Sequence, residues 1–274
     1  MKNTVIIIEK RRGTQLINLR ELIDYKDLLY FLVVRGVKAR YAQSILGVGW
    51  AVIQPLLTML IFTVIFGRLA KIDSEGVPYA LFSFCGLMPW TYFSGAISEA
   101  TNSLTTNANM LSKVYFPRLI LPLAAIVTKL LDFFITVLIL CALLVIFRFP
   151  PTFQLIYFPI LMVLLLITSM GPSILLAAWA VQYRDIKYAI TFIVQILMYA
   201  APVVYPLSII PENYRTLYSL NPMVGVIEGF RSCILGVTPM PWSVIATSAL
   251  VALLLLVYGL YSFSRLERTF ADVA

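Results

Sequence analysis

The sequence predicts an all-α integral membrane protein with six transmembrane helices, an N-terminal interfacial amphipathic helix and a re-entrant helical hairpin before the last span. Three observations predict it. Of the 274 residues, 61% are hydrophobic and 12% charged, with a mean hydropathy of +0.91, whereas a water-soluble domain carries about 25% charged residues. The apolar residues gather in long charge-free stretches of the length that a bilayer core of about 30 Å requires. The net charge of +8, from 21 Lys+Arg against 13 Asp+Glu, is concentrated between alternate stretches, as membrane orientation demands. Cys85, Cys141 and Cys233 are odd in number and sit in apolar surroundings, and histidine is absent, so neither a disulfide framework nor a metal site is indicated.

Residues 1–46 are expected to form a cytoplasmic N-terminus and the interfacial helix. The apolar run at 5–8 is too short for the hydrophobic region of a signal peptide and is followed by Glu9, Lys10, Arg11 and Arg12. Within 21–45, Leu22, Tyr25, Leu29, Leu32 and Val33 fall on one helical face, with Asp24, Asp27, Arg35 and Lys38 opposite, the pattern of a helix lying in the membrane interface. Lys26 and Arg40 fit neither face, and Gly36 is a place for the helix to break. Two readings of Arg35, Lys38 and Arg40, with Tyr41 beside them, stand together. They anchor the membrane surface, or they hold the anionic headgroup of a substrate at an entrance.

Residues 47–264 are expected to be the six-helix transmembrane domain. Its charge-free stretches are 41–67, 76–98, 133–147 extended backward through 119–131, 149–183, 188–211 and 232–264. The fourth, with 35 residues, is about 52 Å long as a straight helix, so Pro159 and Pro172 are expected to bend it. With the N-terminus and the 265–274 tail in the cytoplasm, fifteen basic residues fall inside and five outside, with Lys129 left within a span, which favours an even number of crossings. The segment at 212–238 contains Pro222, Glu228 and Arg231 and is expected to be a re-entrant hairpin lined by protein or water. Its alternative is an amphipathic helix lying on the outer surface.

The loop between the second and third spans can form one short helix in which Ala108, Leu111, Val114 and Tyr115 share a face, closed by Pro117. Such a face needs the bundle or a partner to cover it. Lys129 and Asp132, and likewise Glu228 and Arg231, are three residues apart and can pair on one helix face. Glu99 closes the second span. Ionisable groups at such depth are costly and commonly functional.

Four stretches carry a resemblance: VKARYAQSILGVGWAVIQPLLTMLIFTVIFGRLA at 37–70, NMLSKVYFPRLILP at 109–122, VQYRDIKYA at 181–189 and APVVYPLSIIPENYRTLYSLNPMVGVIEGFRSCILG at 201–236. Together they resemble the membrane subunits of type-2 ABC exporters for lipid-linked polysaccharide, of the Wzm and TarG kind, over almost the whole chain. The resemblance implies a coupling helix at about 107–118, including Met110, Leu111, Ser112, Lys113, Val114, Tyr115, Phe116 and Arg118, that docks on a separate ATP-binding subunit. It implies a second contact with that subunit at Arg184, Asp185 and Ile186, gate helices at 223–235, and an entrance helix at 24–46. It further implies two copies of the chain with two ATPase subunits, a channel lined by the first and fifth spans, and a place in the bacterial inner membrane.

The sequence contains no GxxxxGK[ST] phosphate loop. ATP and Mg are therefore expected on the partner, with no cofactor and no catalytic residue on this chain. Capsule, O-antigen and teichoic acid exporters share the same stretches, so the polymer is left open. Trp90, Tyr92, Phe93, Tyr199 and Tyr205 are candidate channel walls for a sugar polymer, against ordinary packing or the interfacial aromatic belt. Glu228 with Arg231 is expected to hold the re-entrant turn, with gating as the consequence. A proton-driven transporter would show an internal repeat and midplane acids or histidines, and a membrane enzyme a cluster of acids or histidines at one face. Neither pattern is visible.

Overall fold

The computed structural model describes residues 19–41, 47–111 and 113–267. Ser112, the 42–46 end of the expected interfacial helix, residues 1–18 and the tail from 268 lie outside the described residues. Every regular element among those described is helical. α1 (Leu19–Asp24) and α2 (Lys26–Tyr41) precede α3 (Gly49–Phe62), whose last turns widen into a π-helix at Thr63–Leu69. α4 (Tyr79–Thr106), α5 (Ala108–Leu111), α6 (Ile120–Ile146), α7 (Phe158–Gln182), α8 (Ile186–Tyr199), α9 (Glu212–Tyr218), α10 (Pro222–Leu235) and α11 (Trp242–Leu266) follow.

Five helical stretches among the described residues are long and apolar enough to cross a membrane: Gly49–Leu69, Tyr79–Thr106, Ile120–Ile146, Phe153–Gln182 and Trp242–Leu266. The fifth expected span, 188–211, differs. α8 has 14 residues, about 21 Å of helix, and ends ahead of Pro202, which lacks the N–H that the next turn needs and disfavours helix at the residue before it. The long fourth stretch also departs from expectation. A 3₁₀ turn at Phe153–Tyr157 takes up its start, so Pro159 opens α7 and only Pro172 lies inside it.

α4 is the hub. It packs against α6 and α7, α7 packs along α11, and α10 fits among α4, α7 and α11. Every residue from Met223 to Leu235 is buried, so α10 is not a helix lying on a surface. Asn221 caps it, its side chain accepting from the Met223 N–H at 3.1 Å, with Pro222 in the first turn. Gly236 closes it with φ of 64°, the left-handed conformation that glycine adopts without a Cβ clash. α3, by contrast, touches α4 and α6 and leaves most of its surface uncovered.

A second apolar cluster forms at the α2 end. Leu32, Leu104, Phe116, Ile120, Ile174 and Phe263 make its centre, with Leu22, Tyr25, Leu29 and Val33 packed against it. The apolar face read from the sequence is thus the buried one, and Asp24, Asp27, Arg35 and Lys38 are exposed. Gly36 does not break α2. It lets the helix approach α6, where an added Cβ would lie 3.1 Å from Thr128 Oγ1.

The seam between α7 and α11 is a backbone contact between small residues, since a Cβ on Gly259 would lie 2.5 Å from the Gly171 carbonyl oxygen. Gly259→Leu is expected to force the two helices apart and cost about 1–3 kcal/mol. The check is thermal unfolding of the detergent-solubilised protein, with Leu253→Ala on the exposed face of α11 leaving the midpoint nearly unchanged.

Candidate functional site

Three features concentrate polar chemistry. The first is the loop from 107 to 118. The expected helix stops at Leu111, and Lys113 to Pro117 run as a turn, a bend and irregular chain. The β-branched and aromatic Val114, Tyr115 and Phe116 favour that course, and Pro117 disfavours helix at Phe116. The single helical face through Ala108, Leu111, Val114 and Tyr115 is therefore not formed. Instead Phe116 sinks into the second cluster, Met110 and Leu111 pack against it, and Val114 and Tyr115 project, each 61% exposed. The Tyr115 hydroxyl donates to Glu21 Oε1 at 3.1 Å. Arg118 reaches the other way, donating from Nη1 to the Glu267 carbonyl at 3.0 Å.

The second feature is an ion network joining α2, α4 and α6. Arg40 bonds both Asp132 and Glu99. Lys129 Nζ lies 2.8 Å from Glu99 and 3.2 Å from Asp132, and the Tyr41 hydroxyl donates to Asp132 Oδ1. Burial, then the hydrogen bond to Asp132, pushes the Tyr41 phenol, ahead of the first spanning helix, up to about 12. Two cations and two anions close a neutral ring, so Arg40 turns inward while Arg35 and Lys38 stay on the surface. Lys129 and Asp132 pair as their spacing suggests. Their union with Glu99 and Arg40 was not evident, although the misfit of Arg40 to the α2 face was the signal for it. Glu99, Lys129 and Asp132 thus join the candidate site.

The third feature lies at the opposite end of α4. Arg231 is 2% exposed and bonds Glu228 on its own helix. Its Nη2 donates to the Pro202 carbonyl at 2.7 Å and the Val203 carbonyl at 3.2 Å, while its Cζ sits 3.8 Å from the centre of the Phe82 ring. Nearby, the Tyr205 hydroxyl donates to the Tyr199 carbonyl at 2.9 Å and lies 2.7 Å from that of Tyr218. On α9, burial first and this contact second raise the Tyr218 phenol above its ordinary value.

Residues 27–235 match the ABC-2 type transporter family. The chain belongs to that family. Among curated relatives of this ABC-2 chain, the O-antigen export system permease protein RfbA of Myxococcus xanthus is 33% identical over 215 residues, 78% of this chain and 82% of the relative. An RfbA of Klebsiella pneumoniae is 26% identical over 248 residues, 90% of this chain and 95% of the relative. The polysialic acid transport protein KpsM of Escherichia coli is 23% identical over 209 residues, 74% and 80% of the two chains.

Within the ABC-2 chain, the residues singled out from the sequence separate by exposure. Lys113, Val114, Tyr115, Arg184 and Asp185 are exposed, whereas Phe116 is buried and Arg118 half-buried. Trp90, Tyr92 and Phe93 are buried in the protomer. Trp90 stacks with Phe93, and Tyr92 meets Phe133 edge-on and donates to the Ile126 carbonyl at 3.3 Å. Within the protomer these three rings are packed side chains, because α4 is enclosed by its neighbours. Tyr199 remains exposed and Tyr205 half-buried. Glu228 and Arg231 form the pair expected of them.

Removing one partner of a buried pair strands the other charge, at about 3–5 kcal/mol. Arg231→Met is expected to lower the unfolding midpoint of the ABC-2 chain more than the double substitution Glu228→Leu with Arg231→Met. A larger loss in the double variant would contradict the pairing.

Proposed function

We propose that this chain is the channel-forming membrane subunit of an ATP-driven exporter that moves a lipid-linked, O-antigen-like polysaccharide from the cytoplasm across the bacterial inner membrane. The observation that carries the reading is the similarity to two O-antigen export permeases over 78% and 90% of the chain. KpsM, similar at lower identity, favours a capsule-type polymer as the second reading.

In this reading two copies of the chain pair with two ATP-binding subunits, both termini face the cytoplasm, and α9 with α10 forms the re-entrant gate on the outer side. Lys113, Val114 and Tyr115 form the tip that meets the ATP-binding subunit, with Arg184 and Asp185 as the second contact. A tip with exposed apolar side chains on a buried Phe116 base suits insertion into a cleft, because the partner covers the apolar surface while the base transmits force into the bundle. Arg35 and Lys38, exposed beside the membrane, attract the anionic headgroup of the lipid carrier. The uncovered surface of α3 and of α8 supplies the seam at which two copies enclose a channel. ATP and Mg are held by the partner, and this chain contributes no catalytic residue.

Val114→Asp combined with Tyr115→Asp is expected to abolish export and co-purification of the ATP-binding subunit while leaving the membrane subunit folded. Surface glycan and retained ATPase are the measurements, and full export by this variant would refute the docking assignment. Charge reversal at Arg35 and Lys38 is expected to reduce export with lipid-linked glycan building up in the cells. Unchanged export would leave these residues only a topological role.

A further inference from the structure

A cavity of about 240 Å³ opens between α3, α4 and α6, and none of the roles above uses it. Gln54 and Thr58 of α3, Thr91 and Ser94 of α4, and Lys129 and Thr136 of α6 supply its polar lining, with Asp132 at the edge shared with the ion network. Gln54 is exposed at the mouth and Thr136 is buried. Tyr92 and Phe133 complete the wall.

The hydroxyls share one hydrogen-bonding sense. Thr58 donates to the Gln54 carbonyl at 2.9 Å, Thr91 to Met88 at 3.0 Å, Ser94 to Thr91 at 3.1 Å and Thr136 to Phe133 at 2.7 Å. A hydroxyl has one proton to give and two lone pairs, so with each proton used inside its own helix all four oxygens are left as acceptors. Asp132 also accepts, from Arg40, Tyr41 and Lys129. A phosphate, which offers acceptors, meets the wrong polarity here, and the cation available to it, Lys129, already faces two carboxylates. A ligand with several O–H donors meets the right one. At about 30 Å³ per water the space equals roughly eight waters, the bulk of one sugar ring with some solvent.

We propose that this cavity is a subsite for a hydroxyl-rich sugar ring of the exported glycan, distinct from the surface cations that attract its lipid-borne phosphate. The inference rests on the exporter reading and adds to it the place where a sugar is held within one protomer. The ring donates to Thr58, Thr91, Ser94 and Thr136, and the Gln54 amide at the mouth both donates and accepts. The neutral ion network below it excludes a free charge from the cavity while keeping its rim polar.

The test uses the complete exporter with its lipid-linked glycan, in cells and reconstituted in vesicles. Thr58→Val together with Gln54→Leu removes acceptors from a helix that is largely uncovered, and Thr136→Val removes one from the buried side. Each is expected to raise the apparent KM for the lipid-linked glycan about tenfold, the order expected from losing one or two hydrogen bonds, with kcat much less affected. Thr58→Ser, which keeps the oxygen, restores the wild-type KM. Wild-type KM in the Val and Leu variants, present at normal levels and monodisperse, overturns the subsite and leaves a hydrated cavity. Absence of glycan transport by the wild-type complex instead overturns the exporter reading, and the subsite with it.

Discussion

A buried guanidinium holds one end of this molecule together. After α8 the chain runs without regular helix from 200 to 206 through the interior, where Ala201, Val203 and Val204 are buried. Backbone carbonyls in such a place need donors, because no water is at hand to supply them. Arg231 provides two, to Pro202 and Val203, from a helix three elements further on. Its charge is balanced by Glu228 and its face covered by Phe82. Gly86 of α4 leaves the room, since a Cβ there would lie 2.8 Å from the Val203 oxygen and 3.0 Å from Arg231 Nη2. Pro202 ends α8, and the irregular chain that follows it is held against the enclosed α10 by this one side chain.

At the opposite end the same problem is solved by a closed ring of charges. Arg40, Glu99, Lys129 and Asp132 come from three separate helices and sum to zero, so the bundle carries ionisable groups beside apolar surface without an uncompensated charge. The ring also divides the basic residues of α2. Arg40 is committed to internal pairing, and Arg35 and Lys38 remain free to act on what lies at the surface. Three arginines and lysines that look alike in the sequence therefore divide into structural and surface groups according to which side of α2 they leave.

The long spans were legible because length and hydropathy are nearly sufficient to define a crossing, and the apolar face of α2 because Leu22, Tyr25, Leu29, Leu32 and Val33 repeat at helical spacing. The sequence overstates α8 because the apolar run continues past Pro202, and hydropathy does not register the missing N–H. The loop helix was overextended in the same way, with Val114 and Tyr115 placed on a face that the chain leaves at Leu111. The rings of α4 were open to two readings because periodicity identifies an inward face only when the other face is outward. α4 is enclosed on most sides, so the positions of Trp90 and Phe93 carried no directional signal. The ion network was invisible for a different reason: Arg40 lies 59 residues from Glu99 and 92 from Asp132, and local spacing recovers only the Lys129–Asp132 portion.

Tyr115 sits at the projecting tip of its loop, yet its hydroxyl reaches Glu21, and the Tyr25 hydroxyl donates to its carbonyl at 3.5 Å. Beneath them Phe116 shares an apolar seat with Leu32. The tip is consequently tied to the α1–α2 segment by side-chain contacts as well as to the long helices by the chain itself. Because Phe116 also packs with Leu104 of α4, Ile120 of α6, Ile174 of α7 and Phe263 of α11, a shift of the tip would be shared at once between the N-terminal helices and four of the long ones.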